Sequence, residues 1–166
     1  MLLLVTLPVR LKASDLERLG IVVDANTDIE ARWQALRNIL VKSGYANVPT
    51  APDSGGAIIK QDERPVVGVW LMPDNKLAGM LEDFIKFLVP QGDSLLKRAK
   101  DCVERIPEQD RRFPPERQSK AEIHTWLAWQ EEPGKPLGQA ITARYLDADA
   151  PHAQQLMEWI RQLFDL

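Results

Sequence analysis

Three oxygen-bearing side chains stand at alternate positions directly after a short apolar run. They are Asp24, Asn26 and Asp28, in the segment GIVVDANTD. Carboxylate and amide oxygens at this spacing could hold a hard divalent cation such as Mg²⁺. The apolar run predicts a strand, and ligands of open α/β sheets bind where strands end. A structural alternative stays open, because Thr27 and Glu30 fit a capping box and acidic residues stabilise a helix N-terminus.

A second set of acidic side chains follows the strongest strand candidate, the apolar run Val66–Met72. Asp74 comes just after that run, and Glu82 and Asp83 stand at the start of the next predicted helix. Carboxyl ends of parallel strands meet at one edge of a sheet, so one or more of these acids is expected near Asp24. Complementarity to the positive end of the helix dipole is the alternative for the later pair. The two sets together predict a site for Mg²⁺, with Mn²⁺ as a substitute.

Composition narrows the class of protein before any element is assigned. A chain of 166 residues with 45% hydrophobic and 27% charged residues is typical of a soluble globular domain. The net charge of −3 argues against a protein that coats nucleic acid, because such proteins are markedly basic. The single cysteine, Cys102, excludes an internal disulfide and is expected to be buried on a helix. No segment approaches the roughly 20 apolar residues of a membrane span, and a cytoplasmic location is expected.

Periodicity and turn residues predict strands in the first half and helices in the second. The predicted strands are residues 2–7, 21–24, 57–59 and 66–72. The predicted helices are a short piece at 14–19 capped by Ser14, then 28–43, 80–89, one from Asp93 or Ser94 to Ile106, 119–130 opened by a Ser119–Glu122 capping box, 137–143, and a last one from Pro151. Strands spaced by helices favour a single α/β domain over residues 1–166. Its sheet is expected to be mostly parallel and flanked by helices within residues 1–90, with a helical half over 91–166.

Aromatic and basic residues of the second half allow two interpretations each. Trp126 and Trp129 could stack on bases, although tryptophans at helical spacing more often belong to a core or an oligomer contact. His124 and His152 lack the neighbours of a zinc site, and packing or surface roles are expected for them. The one notable local group of basic residues consists of Arg111, Arg112, Arg117 and Lys120, and acidic residues are interleaved with it. This segment is a solvated loop by default and the place for phosphate contacts if nucleic acid binds.

Three separated motifs resemble an uncharacterised prokaryotic family with a TOPRIM-like domain, which is related to the overcoming-lysogenization-defect nucleases. The motifs are GIVVDANTD (20–28), GVWLMPDNKLAGMLEDF (68–84) and SKAEIHTWLAW (119–129), within a similarity that spans residues 15–165. TOPRIM domains are Rossmann-like, and they use a glutamate and a D-x-D motif to hold Mg²⁺ while breaking or joining phosphodiester bonds. The resemblance therefore implies a Rossmann-like sheet, Mg²⁺ and nucleic acid as a partner.

The resemblance also implies roles for individual residues. Asp24 matches the first aspartate of D-x-D, Asn26 stands at the second, and Asp28 is an additional outer acid. The Glu82–Asp83 pair matches acids found further along in the nuclease-type members, and Lys120 matches a lysine that stabilises phosphate charge. The implied catalytic residues are thus Asp24, Glu82 and Lys120.

The chain departs from the family pattern at two positions. Asn26 replaces a carboxylate, which removes one negative charge from a site that depends on ligand charge. The family glutamate should lie upstream of Asp24, where the chain holds only Glu17, in a segment without a preceding strand. On the family pattern, the chain is expected to begin after the strand that carries the glutamate.

Three functions stay open on the sequence. The first is a Mg²⁺-dependent domain that processes nucleic acid with an incomplete acidic site. The second is a catalytically silent α/β module for binding or assembly, and five tryptophans leave room for an apolar interface in a homo-oligomer. The third is a hydrolase of small phosphate esters, which an acidic protein accommodates more easily than a DNA-binding role.

Overall fold

The computed structural model describes residues 2–13 and 15–166, and it has a mixed α/β architecture with a three-stranded sheet. The strands are β1 (Arg18–Asp24), β2 (Ala57–Ile59) and β3 (Val66–Met72). The helices are α1 (Leu2–Arg10), α2 (Ile29–Lys42), α3 (Leu81–Leu88), α4 (Ser94–Glu104), α5 (Gln118–Ala128) and α6 (Pro151–Phe164). Short 3₁₀ helices lie at Glu108–Asp110, Pro115–Arg117 and Leu137–Gln139. The α/β class and the helical second half are confirmed.

The sheet has the strand order β1-β3-β2 and combines a long parallel strand pair with a short antiparallel one. β1 and β3 run parallel over seven residue pairs, from Arg18 opposite Val66 to Asp24 opposite Met72. The short strand β2 is antiparallel to β3. Six of the seven residues of β3 are buried, as its continuous apolar sequence predicts for a strand covered on both faces.

Helices cover both faces of the sheet. On one face, a core cluster combines β1 and β3 with apolar side chains of α1 and α2; it includes Leu7, Leu11, Ile21, Trp33, Leu36, Leu40, Val67, Val69 and Leu71. On the other face, Trp159 and Leu163 of α6 lie against Gly68, where a Cβ atom would stand only 2.5 Å from the Leu163 side chain. Trp159 also packs its ring 5.7 Å from that of Trp70 and donates to the carbonyl of Ala57 at 3.3 Å. Glycine at position 68 therefore permits the close approach of α6.

The chain divides into two compact units. Residues 1–79 together with 155–166 form the sheet unit, and residues 80–154 form the helical unit. In the helical unit α4 and α5 bury Ala99, Val103, Ile123 and Leu127. The boundary at residue 79 precedes the division at residue 90 that the sequence suggests, and the single-domain interpretation stays a prediction. Among the described residues, no helix has the length and apolar character needed to cross a bilayer.

The predicted strand over residues 2–7 is wrong, because this segment forms α1. A short apolar run has no period that separates strand from helix, and leucine is a good helix former. Leu7 and Leu11, four residues apart, are buried on the core side, whereas Val5 and Val9 are exposed. The core contact of that apolar pair explains the helix.

Several predicted boundaries also shift. Residue 14, the predicted cap of a helix at 14–19, lies outside the described residues, and β1 already begins at Arg18. The helix predicted at 137–143 is reduced to the 3₁₀ turn Leu137–Gln139. Cys102, expected to be buried, is exposed, because Ala99 and Val103 form the buried face of α4.

Candidate functional site at the sheet edge

Asp24 and Asp74 lie at the same edge of the sheet unit. Asp24 is the last residue of β1 and stands opposite Met72, the last residue of β3. Asp74 follows Met72 by two residues and is buried. Neighbouring strands are separated by about 4.8 Å, so both carboxylates emerge at the carboxyl ends of adjacent parallel strands. The backbone register thus brings these two positions to one edge, and their role as a pair of metal ligands stays a prediction.

The loop after β3 is shaped by the side chains of Asp74 and Asn75. Asp74 Oδ1 accepts hydrogen bonds from the backbone N–H groups of Lys76 and Leu77, at 3.0 and 2.8 Å. Asn75 has a positive φ of 63°, and its Oδ1 accepts from the backbone N–H of Leu71 at 2.7 Å. Its buried Nδ2 has no hydrogen-bond partner within the described part of the chain. The edge thus carries a carboxylate held by backbone donors and a buried amide donor.

Asn26 lies in the turn between β1 and α2. Its φ is +57°, a left-handed conformation that asparagine adopts more readily than most residues. The backbone N–H of Asn26 donates to the carbonyl of Gly79 at 2.7 Å. Backbone conformation therefore gives a structural reason for a short polar side chain at this position.

Asp28, rather than Thr27, is the N-cap of α2. Its side chain accepts from the backbone N–H of Ala31 at 2.8 Å, so the predicted capping box Thr27–Glu30 is wrong in register. Aspartate at the N-cap satisfies a backbone donor and favours the helix dipole. The same residue borders an open groove of about 540 Å³ with Glu30, Trp33 and Thr50, which sequence reasoning missed.

Glu82, Asp83 and Lys120 belong to the helical unit, where they join a network between α3 and α5. Glu82 is buried, and its Oε1 lies 3.2 Å from Lys120 Nζ. Asp83 Oδ2 accepts from the backbone N–H of Met80 at 2.9 Å, and Ser119 donates its hydroxyl to Asp83 Oδ1. The predicted capping role of Ser119 is wrong, because α5 begins at Gln118 and Ser119 bonds to α3 instead. These contacts stabilise the packing of the two helices.

Lys86 is the centre of this network and was missed at the sequence level. Its Nζ lies 2.7 Å from Glu122 Oε2 and 3.4 Å from Asp83 Oδ1, and it donates to Ser119 Oγ at 2.8 Å. Glu122 is buried and also accepts from Gln118 at 2.9 Å. The spacing of Asp83 and Lys86, three residues apart on one helix, is the signal that could have indicated the pair.

The remaining candidates have structural surroundings. His124 is exposed, and His152 stacks on Phe87 with ring centroids 3.9 Å apart. Trp126 is fully buried, whereas Trp129 is exposed. Glu17 immediately precedes β1, at the opposite end of the strand from Asp24, and its backbone carbonyl accepts from the N–H of Val66.

A divalent cation at the sheet edge would rely on few protein ligands. In the part of the chain that the structure describes, no three His, Cys, Asp or Glu side chains are grouped to hold a metal ion. Mg²⁺, however, often uses one or two carboxylates and keeps several waters. Asp24 and Asp74 are the two carboxylates at this edge, and the predicted ligand set, with all six of its residues, stays a prediction.

Comparison with known proteins adds a family but no activity. No curated protein and no solved structure is similar enough to the chain to count as a match. A family model described as protein of unknown function (DUF3226) matches residues 1–165. The chain therefore belongs to the DUF3226 family of proteins of unknown function.

Proposed function

We propose that the chain is a TOPRIM-like domain that binds Mg²⁺ at the edge formed by β1 and β3 and, through it, the phosphates of a nucleic acid. The parallel register that brings Asp24 and Asp74 to one edge is the observation that supports this most. Two carboxylates leave coordination positions for water and for phosphate oxygens, as is common at Mg²⁺ sites. The buried Nδ2 of Asn75 suits a phosphate or water oxygen, because buried donors usually have an acceptor.

Binding without efficient cleavage is the expected behaviour. A bound Mg²⁺ polarises a phosphoryl oxygen and lowers the pKa of a bound water. Asn26 contributes no charge to such a site, and Glu17 lies at the wrong end of β1 to supply the glutamate of the family pattern. The residues at this edge therefore support cation and phosphate binding better than they support hydrolysis.

Titration calorimetry with Mg²⁺ or Mn²⁺ tests the cation site. We expect one saturable site in the wild type, weakened at least tenfold by Asp24→Asn and by Asp74→Asn. Asparagine keeps the carbonyl oxygen that accepts from Lys76 and Leu77, so the second variant removes charge while preserving the loop.

The matched control is Asp62→Asn, an exposed aspartate in the turn before β3, at the opposite end of that strand. Its affinity for the cation should equal that of the wild type. Absence of saturable binding in the wild type, or equal loss in all three variants, would refute the site.

A catalytically silent assembly module is the second candidate function. The observation in its favour is the network around Lys86, since Glu82, Asp83 and Glu122 all take part in ion pairs within the helical unit. Acids that hold helices together are less available for chemistry. Incubation with single- and double-stranded DNA and RNA in Mg²⁺ or Mn²⁺ separates the candidates, because only a processing enzyme converts substrate in amounts that exceed the protein.

A further inference from the structure

Within the described part of the chain, one side of β1 has no neighbouring strand. β1 pairs with β3 on one side, and across residues 2–13 and 15–166 no strand pairs with its other side. Of the seven residues of β1, Ile21 alone is buried, whereas β3 is buried along almost its whole length. An open strand of this length is a template for pairing with another chain.

The backbone polarity of this open edge follows from two hydrogen bonds. Val66 donates to the carbonyl of Glu17 at 2.8 Å, and Ala25 donates to the carbonyl of Met72 at 3.1 Å. Odd-numbered residues of β1 therefore direct their N–H and C=O groups toward β3. Since direction alternates along a strand, Gly20 and Val22 direct theirs toward the open edge.

We propose that this edge is the interface of a homodimer, in which β1 of a second copy pairs antiparallel with β1 about Ile21. In that register Gly20 stands opposite Val22 of the partner subunit, and each such pair exchanges two backbone hydrogen bonds. The two sheets then form one continuous six-stranded sheet. The interface is isologous, as expected for a two-fold dimer.

The ends of β1 carry opposite charges that match in this register. Arg18 begins the strand and Asp24 ends it, so an antiparallel copy places Arg18 opposite the partner's Asp24, and the reverse. The carboxylate of Asp24 has two oxygens, and in the dimer it would be shared between the partner's Arg18 and the cation proposed above. Arg18 is already held at the edge by the carbonyl of Leu163, at 2.6 Å, and by the Asp165 carboxylate. Opposite charges directly across a strand pair stabilise the pairing, and a parallel arrangement would place like charges together.

Apolar side chains beside the edge are also complementary. Val22 is 45% exposed and Phe164 is 40% exposed. The Phe164 ring lies beside Gly20, where a Cβ atom would be 3.6 Å away. With Gly20 opposite the partner's Val22, Phe164 can cover that valine, so the missing side chain at position 20 leaves room for the contact.

Light scattering coupled to gel filtration tests the dimer. We expect the wild type at tens of micromolar to have twice the chain mass of 18.8 kDa, and Val22→Lys to have the single mass. A lysine on an edge strand disfavours pairing between chains, and position 22 does not bond to β3.

The control is Val41→Lys, on α2, because Val41 has the same 45% exposure as Val22. It should stay dimeric. A wild type that is monomeric at 200 µM overturns the proposal, and the open edge would then be available to a different protein. A dimer that Val22→Lys leaves unchanged overturns it as well.

A disulfide experiment tests the register. Leu19 is opposite the partner's Val23 in a pair without mutual hydrogen bonds, where Cα atoms are about 4.5 Å apart. In a Cys102→Ser background, Leu19→Cys and Val23→Cys together should give a covalent dimer with oxidised glutathione. Each single variant alone should give no covalent dimer on a non-reducing gel. A mixture of the two single variants should cross-link. Equal cross-linking by the single variants would overturn this register.

Discussion

Tyr45 is a buried phenol in the core cluster of the sheet unit. Its hydroxyl donates to the carbonyl of Pro65 at 2.9 Å. Burial raises its pKa above the ordinary value of 10.0, an effect that the nearby charge of Arg64 partly offsets. The folded state therefore favours the neutral phenol, whereas the unfolded chain ionises near pH 10.

Stability should consequently fall as pH rises above about 10, through the raised pKa of Tyr45. Below pH 10 both states hold the proton, so this residue makes no pH-dependent difference there. Tyr45→Phe should lower the free energy of unfolding at pH 7 by about 1–3 kcal/mol, because the Pro65 carbonyl loses its donor. The same variant should show a smaller decline between pH 10 and 11.

Urea unfolding at pH 7, 10 and 11 measures both effects. An equal decline in wild type and variant would show that another group titrates. Retained stability of the variant at pH 7 would show that the carbonyl finds a different donor.

At the level of single residues, the sequence identified acidic positions well but not their partners. Asp24 and Asp74 could be placed at one edge, because strand ends can be located from apolar runs and turn residues. The cap at Asp28 instead of Thr27 was missed, since both residue types cap helices and a shift of one residue changes the assignment. The partners of Asp83 lie on another helix, and no local pattern indicates them.

Lys86 of α3 links this helix to α5. It contacts both Asp83 and Glu122, and the surface of all three side chains is largely shielded from water. Removing one partner of a buried ion pair leaves an uncompensated charge, which is strongly destabilising. Replacing both partners by apolar residues avoids that cost.

Lys86→Met should therefore destabilise the protein by about 3 kcal/mol, and Lys86→Met with Glu122→Met should restore part of the loss. Lys97→Met is the matched control, because its pair with Asp101 is largely exposed and should matter by under about 1 kcal/mol. Thermal unfolding of the four proteins measures these differences. Equal effects of Lys86→Met and Lys97→Met would contradict the role of the network.

Elements with a strong period or unambiguous boundaries were predictable, and short apolar runs were not. The apolar stripe of α2 and the continuous run of β3 each allow one interpretation. The segment that forms α1 does not, because its state is decided by the contact of Leu7 and Leu11 with the core. Strand order was also beyond the sequence, since β2 joins β3 with antiparallel register through contacts that no local pattern contains.

The whole sheet unit depends on residues from both ends of the chain. Trp159 contacts Trp70 and donates to Ala57, a residue 102 positions earlier. Trp159→Ala should cost about 3–5 kcal/mol, as expected when a buried tryptophan is truncated. Met157→Ala, at an exposed position of the same helix, should change stability by less than about 1 kcal/mol. Hydrogen exchange should show faster exchange in β1 and β3 of the first variant, and unchanged exchange there would contradict this role of α6.

The return of α6 to the sheet has a consequence for the order of folding during synthesis. The helical unit is one continuous stretch, 80–154, whereas the sheet unit needs residues 155–166 before its second face is covered. On the ribosome, the first 79 residues emerge early but lack the tryptophan and leucine that complete their core. The sheet unit therefore reaches its final structure only after the helical unit has been synthesised, and until then the uncovered apolar face of the sheet should be a target for chaperones.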